Sequence, residues 1–173
     1  MLILGVRTAM KILTAFTAAA LAALGLAFSP APKADAQMPM QIPAQVRPEI
    51  YVVVFRADWC GPCKIVEPAL NTALGRLRDP QIEFVTIDIT TPFLSERSAH
   101  AAFDRNIVAQ YNQWMGVTGF AAIIDADTKA TLGCVNMRYN ADAMAAHIGN
   151  LKTYAVAGQP AFDITCPAPN PPR

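Results

Sequence analysis

Charge is scarce in this chain and almost balanced. Fourteen Lys and Arg stand against 13 Asp and Glu, a formal net charge of +1. No basic field exists for nucleic acid, which removes that class of partner. Histidine is nearly lacking: His100 and His147 stand alone on separate predicted helices, as solvated or boundary residues. Cys134 and Cys166 are equally isolated. A zinc site would need two further ligands at close spacing beside Cys60 and Cys63, and the sequence offers none, so no metal is expected. There is no internal repeat and no second domain.

What the chain does have begins with an apolar leader. Lys11 is followed by a run from Ile12 to Phe28, rich in Ala and Leu, then Pro30, Pro32 and the triplet Ala34-Asp35-Ala36. A positive start, an apolar stretch and an A-x-A site make a secretory signal peptide over residues 1–36, cleaved between Ala36 and Gln37. The run is short for a permanent anchor, since a spanning helix takes about 20 apolar residues. Removing residues 1–36 takes away Arg7, Lys11 and Lys33 against Asp35, which moves the net charge from +1 to −1. The expected location is periplasmic or secreted, a compartment in which disulfides persist.

Residues 37–48 hold Pro39, Pro43 and Pro48 without an apolar period and read as an extended arm. The domain then covers residues 49–157. Glu49 to Arg56 is a continuous β-branched and aromatic run, which suits a central strand covered on both faces. Cys63 to Arg78 keeps helical spacing through Val66, Leu70, Ala73 and Leu77, with Pro68 expected to kink it. Ile82 to Ile89 reads as a second buried strand. Thr91-Pro92 looks like a cap and first position of a helix reaching about Tyr111, with Phe103, Ile107 and Tyr111 on one face. Gly116 and Gly119 break the chain. Phe120 to Asp125 and Thr131 to Met137 form a hairpin, and Asn140 caps a last helix with Met144, Ile148, Leu151 and Ala155 inward. Residues 158–173 are a Pro-rich tail.

The chemistry sits in Trp59-Cys60-Gly61-Pro62-Cys63-Lys64, between a buried strand and a helix. Two intervening residues place both sulfurs at the first helical turn, close enough to bond. Cys60 would face unpaired N–H groups and the positive end of the helix dipole, which favour the thiolate, the attacking species. Cys63 would resolve the mixed disulfide from inside. C-x-x-C alone is a weak signal, because half a zinc site has the same spacing; the strand–turn–helix context turns the reading towards redox chemistry.

Val52 to Leu70 (VVVFRADWCGPCKIVEPAL) resembles the active-site segment of thioredoxins, and the element order is similar to the thioredoxin fold. The resemblance implies an α/β, thioredoxin-like fold with a four-stranded mixed sheet of order 2-1-3-4 flanked by helices, the N-terminal strand and helix of full thioredoxins missing. It implies a protein thiol–disulfide oxidoreductase with Cys60 as nucleophile and Cys63 as resolving thiol. Trp59, Gly61, Pro62 and Lys64 would be the active-site environment. It further implies a monomer with no cofactor beyond the redox-active disulfide, partners that are protein or peptide disulfides, and a membrane electron donor as a candidate. Three features depart from the family. Its buried aspartate is Val54, its strand tryptophan is Arg56, and its cis-proline has no counterpart, because no proline lies between Pro92 and Pro160. Matching Gly116-Val117-Thr118-Gly119 to the family loop puts Ala121 at the cis-proline place; matching Ile124-Asp125 puts Gly119 there. The first match is preferred. These losses keep two rivals in view, a redox-inactive binding module and a metallochaperone using Cys60 and Cys63.

Glu67, four residues after Cys63, could share its helix face and move protons in place of the missing carboxylate. Trp114-Met115 would pack the core edge. Phe162 to Cys166 alternates apolar and polar, as a short strand would, and laid along the outer edge of Thr131–Met137 it would bring Cys166 to Cys134 as a structural disulfide.

Overall fold

The computed structural model describes residues 46–159 and 165–170. The signal-peptide reading, most of the Pro-rich arm and the 162–164 part of the tail strand therefore lie outside the described residues. Eight elements follow in order: β1 (Ile50–Arg56), α1 (Cys63–Leu77), β2 (Ile82–Asp88), α2 (Pro92–Asp104), α3 (Val108–Gln113), β3 (Phe120–Asp125), β4 (Thr131–Asn136) and α4 (Ala141–Val156). They make one mixed sheet of order β2-β1-β3-β4. β1 pairs parallel with β2 and antiparallel with β3, and β3 pairs antiparallel with β4 around an irregularity at Ile123/Ile124. This is the expected order, and the fold is thioredoxin-like.

The uninterrupted apolar run of β1 has a simple cause. Successive side chains point to opposite faces, and both faces are covered. Ile50, Val52 and Val54 pack with Val66, Leu70 and Ala73 of α1 and Met144, Ile148 and Leu151 of α4. Tyr51, Val53 and Phe55 pack with Ala102, Ile107, Tyr111 and Trp114 on the other side. Each such side chain contributes about 1.5–3 kcal/mol on burial, enough to fix the register of the strand that carries the site. β2 departs from the expectation of a fully buried strand. It is an edge strand, with Val85 and Ile87 buried but Phe84 and Thr86 exposed, because neither α1 nor α4 reaches over its outer half.

The expected helix from Pro92 to Tyr111 is two helices. Asn106 adopts φ +56°, its N–H donates to the Phe103 carbonyl (3.0 Å), and the Ile107 N–H donates to the Ala102 carbonyl (2.9 Å). That is a Schellman stop with asparagine in the left-handed position and Ile107 folded back onto Ala102. The break turns the chain so that Ile107 and Tyr111 are buried while Phe103 is 73% exposed, contrary to the shared face expected. α1, by contrast, runs through Pro68. The caps are as read: Thr91 Oγ1 accepts from the Leu94 N–H, and Asn140 Oδ1 accepts from the Ala143 N–H.

The tail returns to the outer side of β4. Thr165 Oγ1 accepts the Cys134 N–H (3.2 Å) and donates to the Cys134 carbonyl (2.6 Å), so one hydroxyl satisfies both outward groups of that strand residue. Cys134 is bonded to Cys166, with Cα atoms 4.8 Å apart. Further along, Pro167 accepts the Trp114 indole N–H (3.1 Å), and the Asn170 N–H donates to the Gln113 carbonyl (2.8 Å). Trp114 is core, not core edge: it meets Phe55 and Phe120 edge-on while those two rings stack.

Candidate active site

Cys60 and Cys63 are disulfide-bonded, with Cα atoms 5.4 Å apart. The turn from the end of β1 closes through the Cys60 N–H to the Ala57 carbonyl (3.1 Å), and α1 begins at once, with Pro62 in helical conformation as its cap. Proline costs nothing at that position, where an N–H would have no helical partner. Burial does not separate the two cysteines, at 4% and 2% exposed. Their polar neighbours do. The Cys63 N–H points at Cys60 Sγ (3.1 Å), whereas Cys63 Sγ lies against the Phe55 carbonyl oxygen at 4.0 Å. A donor beside one sulfur and an acceptor beside the other favour charge on Cys60 and a retained proton on Cys63 once the pair is reduced. Both cysteines pack with Ala57 and Ile89.

Around the pair, Trp59 (63% exposed) and Ile65 (58%) stand out in solvent with Gly61, Pro62 and Lys64. The residue facing the disulfide across the site is Gly119, not Ala121. A Cβ placed on Gly119 would come within 2.7 Å of Pro62 Cβ and 3.5 Å of Cys60 Sγ. Gly119 has φ +89°, and its N–H donates to the Phe55 carbonyl (2.9 Å), so the chain passes the sulfurs closely only because it lacks a side chain. Ala121 lies two residues inside β3, wholly buried and paired with Val54 and Val135, on the face packed by α1 and α4. The loop spacing suggested Ala121; the left-handed glycine next to the strand start was the better signal.

Beneath the pair, Val54 is 2% exposed within the apolar core, and no carboxylate occupies that place. Glu67 does not turn towards it. Its Oε1 accepts from Arg56 Nε (3.1 Å), and Arg56 also pairs with Asp58 (2.7 Å) and with Asp88. Thr90 completes the cluster, taking the Asp58 N–H on its hydroxyl (3.0 Å) and giving its own N–H to Asp88 (2.8 Å). The Asp58 hydrogen bond, with those of Glu67 and Asp88, outweighs burial and holds the Arg56 guanidinium more firmly protonated than usual. For Asp88 burial works upward, but the Thr90 and Arg56 hydrogen bonds prevail and keep its carboxyl below the ordinary range. In the sequence Arg56 marks only the place of a lost tryptophan; three carboxylates 2, 11 and 32 residues away form no pattern that a linear reading can join.

An open groove of about 660 Å³ starts at Pro62 and Gly119 and runs past Met137, Arg138 and Tyr139 to Cys166 and Pro167. Pro62, between the two cysteines, and Gly119, which passes close to Cys60 Sγ, share this groove with Cys166 and Pro167 of the tail. Among the described residues, no group of three or more His, Cys, Asp or Glu is arranged to hold a metal ion. His100 is exposed, and His147 is half-buried, stacked on Tyr139.

A central strand, a disulfide closed across two intervening residues and a helix springing from its second cysteine define the class by architecture: thioredoxin-like. Residues 40–102 match the family model described as Thioredoxin. Thioredoxin H2 from Arabidopsis thaliana is 39% identical over 41 residues, 24% of this chain and 29% of that protein. A thioredoxin from Ophiophagus hannah is 37% identical over 41 residues, 24% of this chain and 37% of that protein. The matches thus span well under half the length of these curated relatives. Among solved structures, chloroplastic thioredoxin z is similar with a TM-score of 0.41 and 22% identity, covering 62% of this chain and 81% of that one. A thioredoxin-family thiol:disulfide interchange protein from Chlorobium tepidum gives 0.42 and 17%, covering 60% and 80%. Over residues 40–102, which hold the Cys60–Cys63 string, the chain is similar to the thioredoxin family.

Proposed function

We propose that the protein is an extracytoplasmic thiol–disulfide oxidoreductase acting on protein or peptide disulfides. The observation that carries the reading is the Cys63 N–H aimed at Cys60 Sγ at the first turn of α1, with that sulfur next to Gly119, a residue lining an open groove. In the reduced protein the Cys60 thiolate attacks one sulfur of a partner disulfide, forming a mixed disulfide and releasing the partner's other sulfur as a thiolate. Cys63 then gives up its proton and attacks Cys60 Sγ. The Cys60–Cys63 bond re-forms, the second partner sulfur leaves, and two electrons have passed to the partner. A dithiol donor restores the reduced pair; with an oxidising partner the same steps run backwards. The groove beyond Gly119 supports a peptide segment flanking the target disulfide. Export rests on the leader over residues 1–36 and is supported by a second cysteine pair, Cys134–Cys166, suited to an oxidising compartment.

The test is insulin reduction with dithiothreitol, with Cys63→Ser used to trap the mixed disulfide on Cys60. Pulse alkylation of the reduced protein should label Cys60 faster than the other three cysteines. Labelling of Cys63 first, with full activity in Cys60→Ser, would reverse the two roles. Val54 favours a second reading, a binding module with a static disulfide, because no carboxylate stands ready to take the Cys63 proton. Reduced protein that binds peptides but never forms the trapped adduct would select it.

A further inference from the structure

We propose that Arg56 is a positioning residue for the redox pair, tying the turn that carries Cys60 to α1 and β2 and offsetting the carboxylates around it. The proposal rests on the reading of Cys60 as the attacking thiol. Three separate elements converge on this one guanidinium: Asp58 from the β1–α1 turn, Glu67 from α1 and Asp88 from the end of β2. Asp58 sits two residues before Cys60, and Thr90 holds it from the other side through its backbone N–H. Arg56 is the last residue of β1, in register with Asp88, so the clamp is anchored in the sheet. Only a planar fork with several donors meets three carboxylates at once; lysine would supply the charge without the geometry.

The electrostatic consequence follows from the count. One cation among three carboxylates leaves the cluster net negative, and without Arg56 the whole acidic field would act on the sulfur two residues from Asp58. The charged groups around the pair are Asp58 and Arg56 on β1 and its turn, Lys64 and Glu67 on α1, Asp88 on β2, and Arg138 across the groove. A negative field disfavours the thiolate, so Arg56 keeps Cys60 reactive while its partners keep the turn in place. The carboxylates are then structural struts, and Glu67 is engaged there instead of carrying protons.

The experiment is pulse alkylation of the reduced full chain with iodoacetamide from pH 5 to 9, following Cys60 by peptide mapping. This needs no disulfide substrate. A chain that shows the Arg56 effect but does not reduce insulin loses the functional reading and keeps this one. Arg56→Met should raise the midpoint of Cys60 labelling by about half a pH unit and slow labelling near pH 7 about threefold, as expected for loss of one nearby, solvent-screened charge. Asp58→Asn, with the arginine retained, should move the profile by a similar amount in the opposite direction. Arg56→Lys should recover the pH midpoint but not the thermal stability. An unmoved profile in Arg56→Met alongside a lower Tm would reduce Arg56 to a plain brace and overturn the proposal. Should Arg56→Met fail to fold, Asp58→Asn decides alone: an unmoved or raised midpoint overturns the proposal.

Discussion

Removing the Cys134–Cys166 bond by the double substitution Cys134→Ala/Cys166→Ala should destabilise the domain in a way that can be worked out in advance. The cross-link spans 32 residues of sequence, and the chain-entropy treatment assigns such a loop about 3.7 kcal/mol. For the 120 described residues, the unfolding entropy near 60 °C converts that into a fall in Tm of about 15 °C. The wholly buried Cys134 side chain adds a smaller packing loss. Two probes separate global from local effects. Far-UV circular dichroism follows the sheet and helices. Fluorescence follows Trp114, whose indole N–H is held by the Pro167 carbonyl, while the only other tryptophan, Trp59, is already exposed. The variant should melt near the lower Tm by both probes, with Trp114 emission already altered before the transition. A fall of less than about 3 °C, equivalent to under about 1 kcal/mol, with unchanged emission would refute the reasoning. The tail would then be held by its hydrogen bonds alone.

Gly116 and Gly119 share φ +89°, but a Cβ meets nothing within 4 Å at the first and crowds Pro62 and Cys60 at the second. Gly116→Ala should cost about 1–2 kcal/mol in chemical denaturation for the left-handed backbone. Gly119→Ala should cost more and also slow insulin reduction; equal effects in both assays would remove the special role of position 119. Asn106→Gly should leave stability unchanged or raise it, whereas Asn106→Val should lower it by about 1–2 kcal/mol in urea unfolding, since a β-branched side chain fits the left-handed stop badly. The Lys152 hydrogen bond and charge, opposed by burial, hold the Asp79 carboxyl below its ordinary value. A lowered carboxyl adds stability above the unfolded value near 4 that is lost as pH falls through the folded one. Lys152→Met should therefore flatten the acid limb of a stability–pH titration below about pH 4; an unchanged limb would show that the pair carries no linkage.

How much of this was readable in the chain depends on the range of the interaction. The sequence of elements, the hairpin and the caps at Thr91 and Asn140 follow from local periodicity and from single residues with one structural use, whereas the lateral order of the strands comes from the resemblance to thioredoxins. The Trp59–Lys64 string likewise carries its geometry with it, because two intervening residues and a helix start fix where both sulfurs sit. Asn106 was missed although its signal was present: asparagine tolerates the left-handed region, and the apolar Ile107 after it was the residue to fold back. The exposed half of β2 could not be read at all, since β-branched composition does not say which strand ends the sheet. Gly119 against Ala121 was a matter of two residues in a loop, where spacing is the weakest guide. Arg56 was hidden for a different reason, as its partners come from three elements that only the fold assembles.

The Thr165 hydroxyl that fills both outward groups of Cys134 has a bearing on where the chain can safely mature. An uncovered outer strand is a template for pairing with another chain, and β4 is the outer strand on this side of the sheet. In a reducing compartment nothing covalent holds the tail there, and the edge at Cys134 can open to solvent and to neighbouring copies. Oxidation of Cys134 and Cys166 closes that edge. Self-association of newly made protein should then be governed by the redox state of a bond other than Cys60–Cys63, with colloidal stability acquired at the moment the second pair of sulfurs joins.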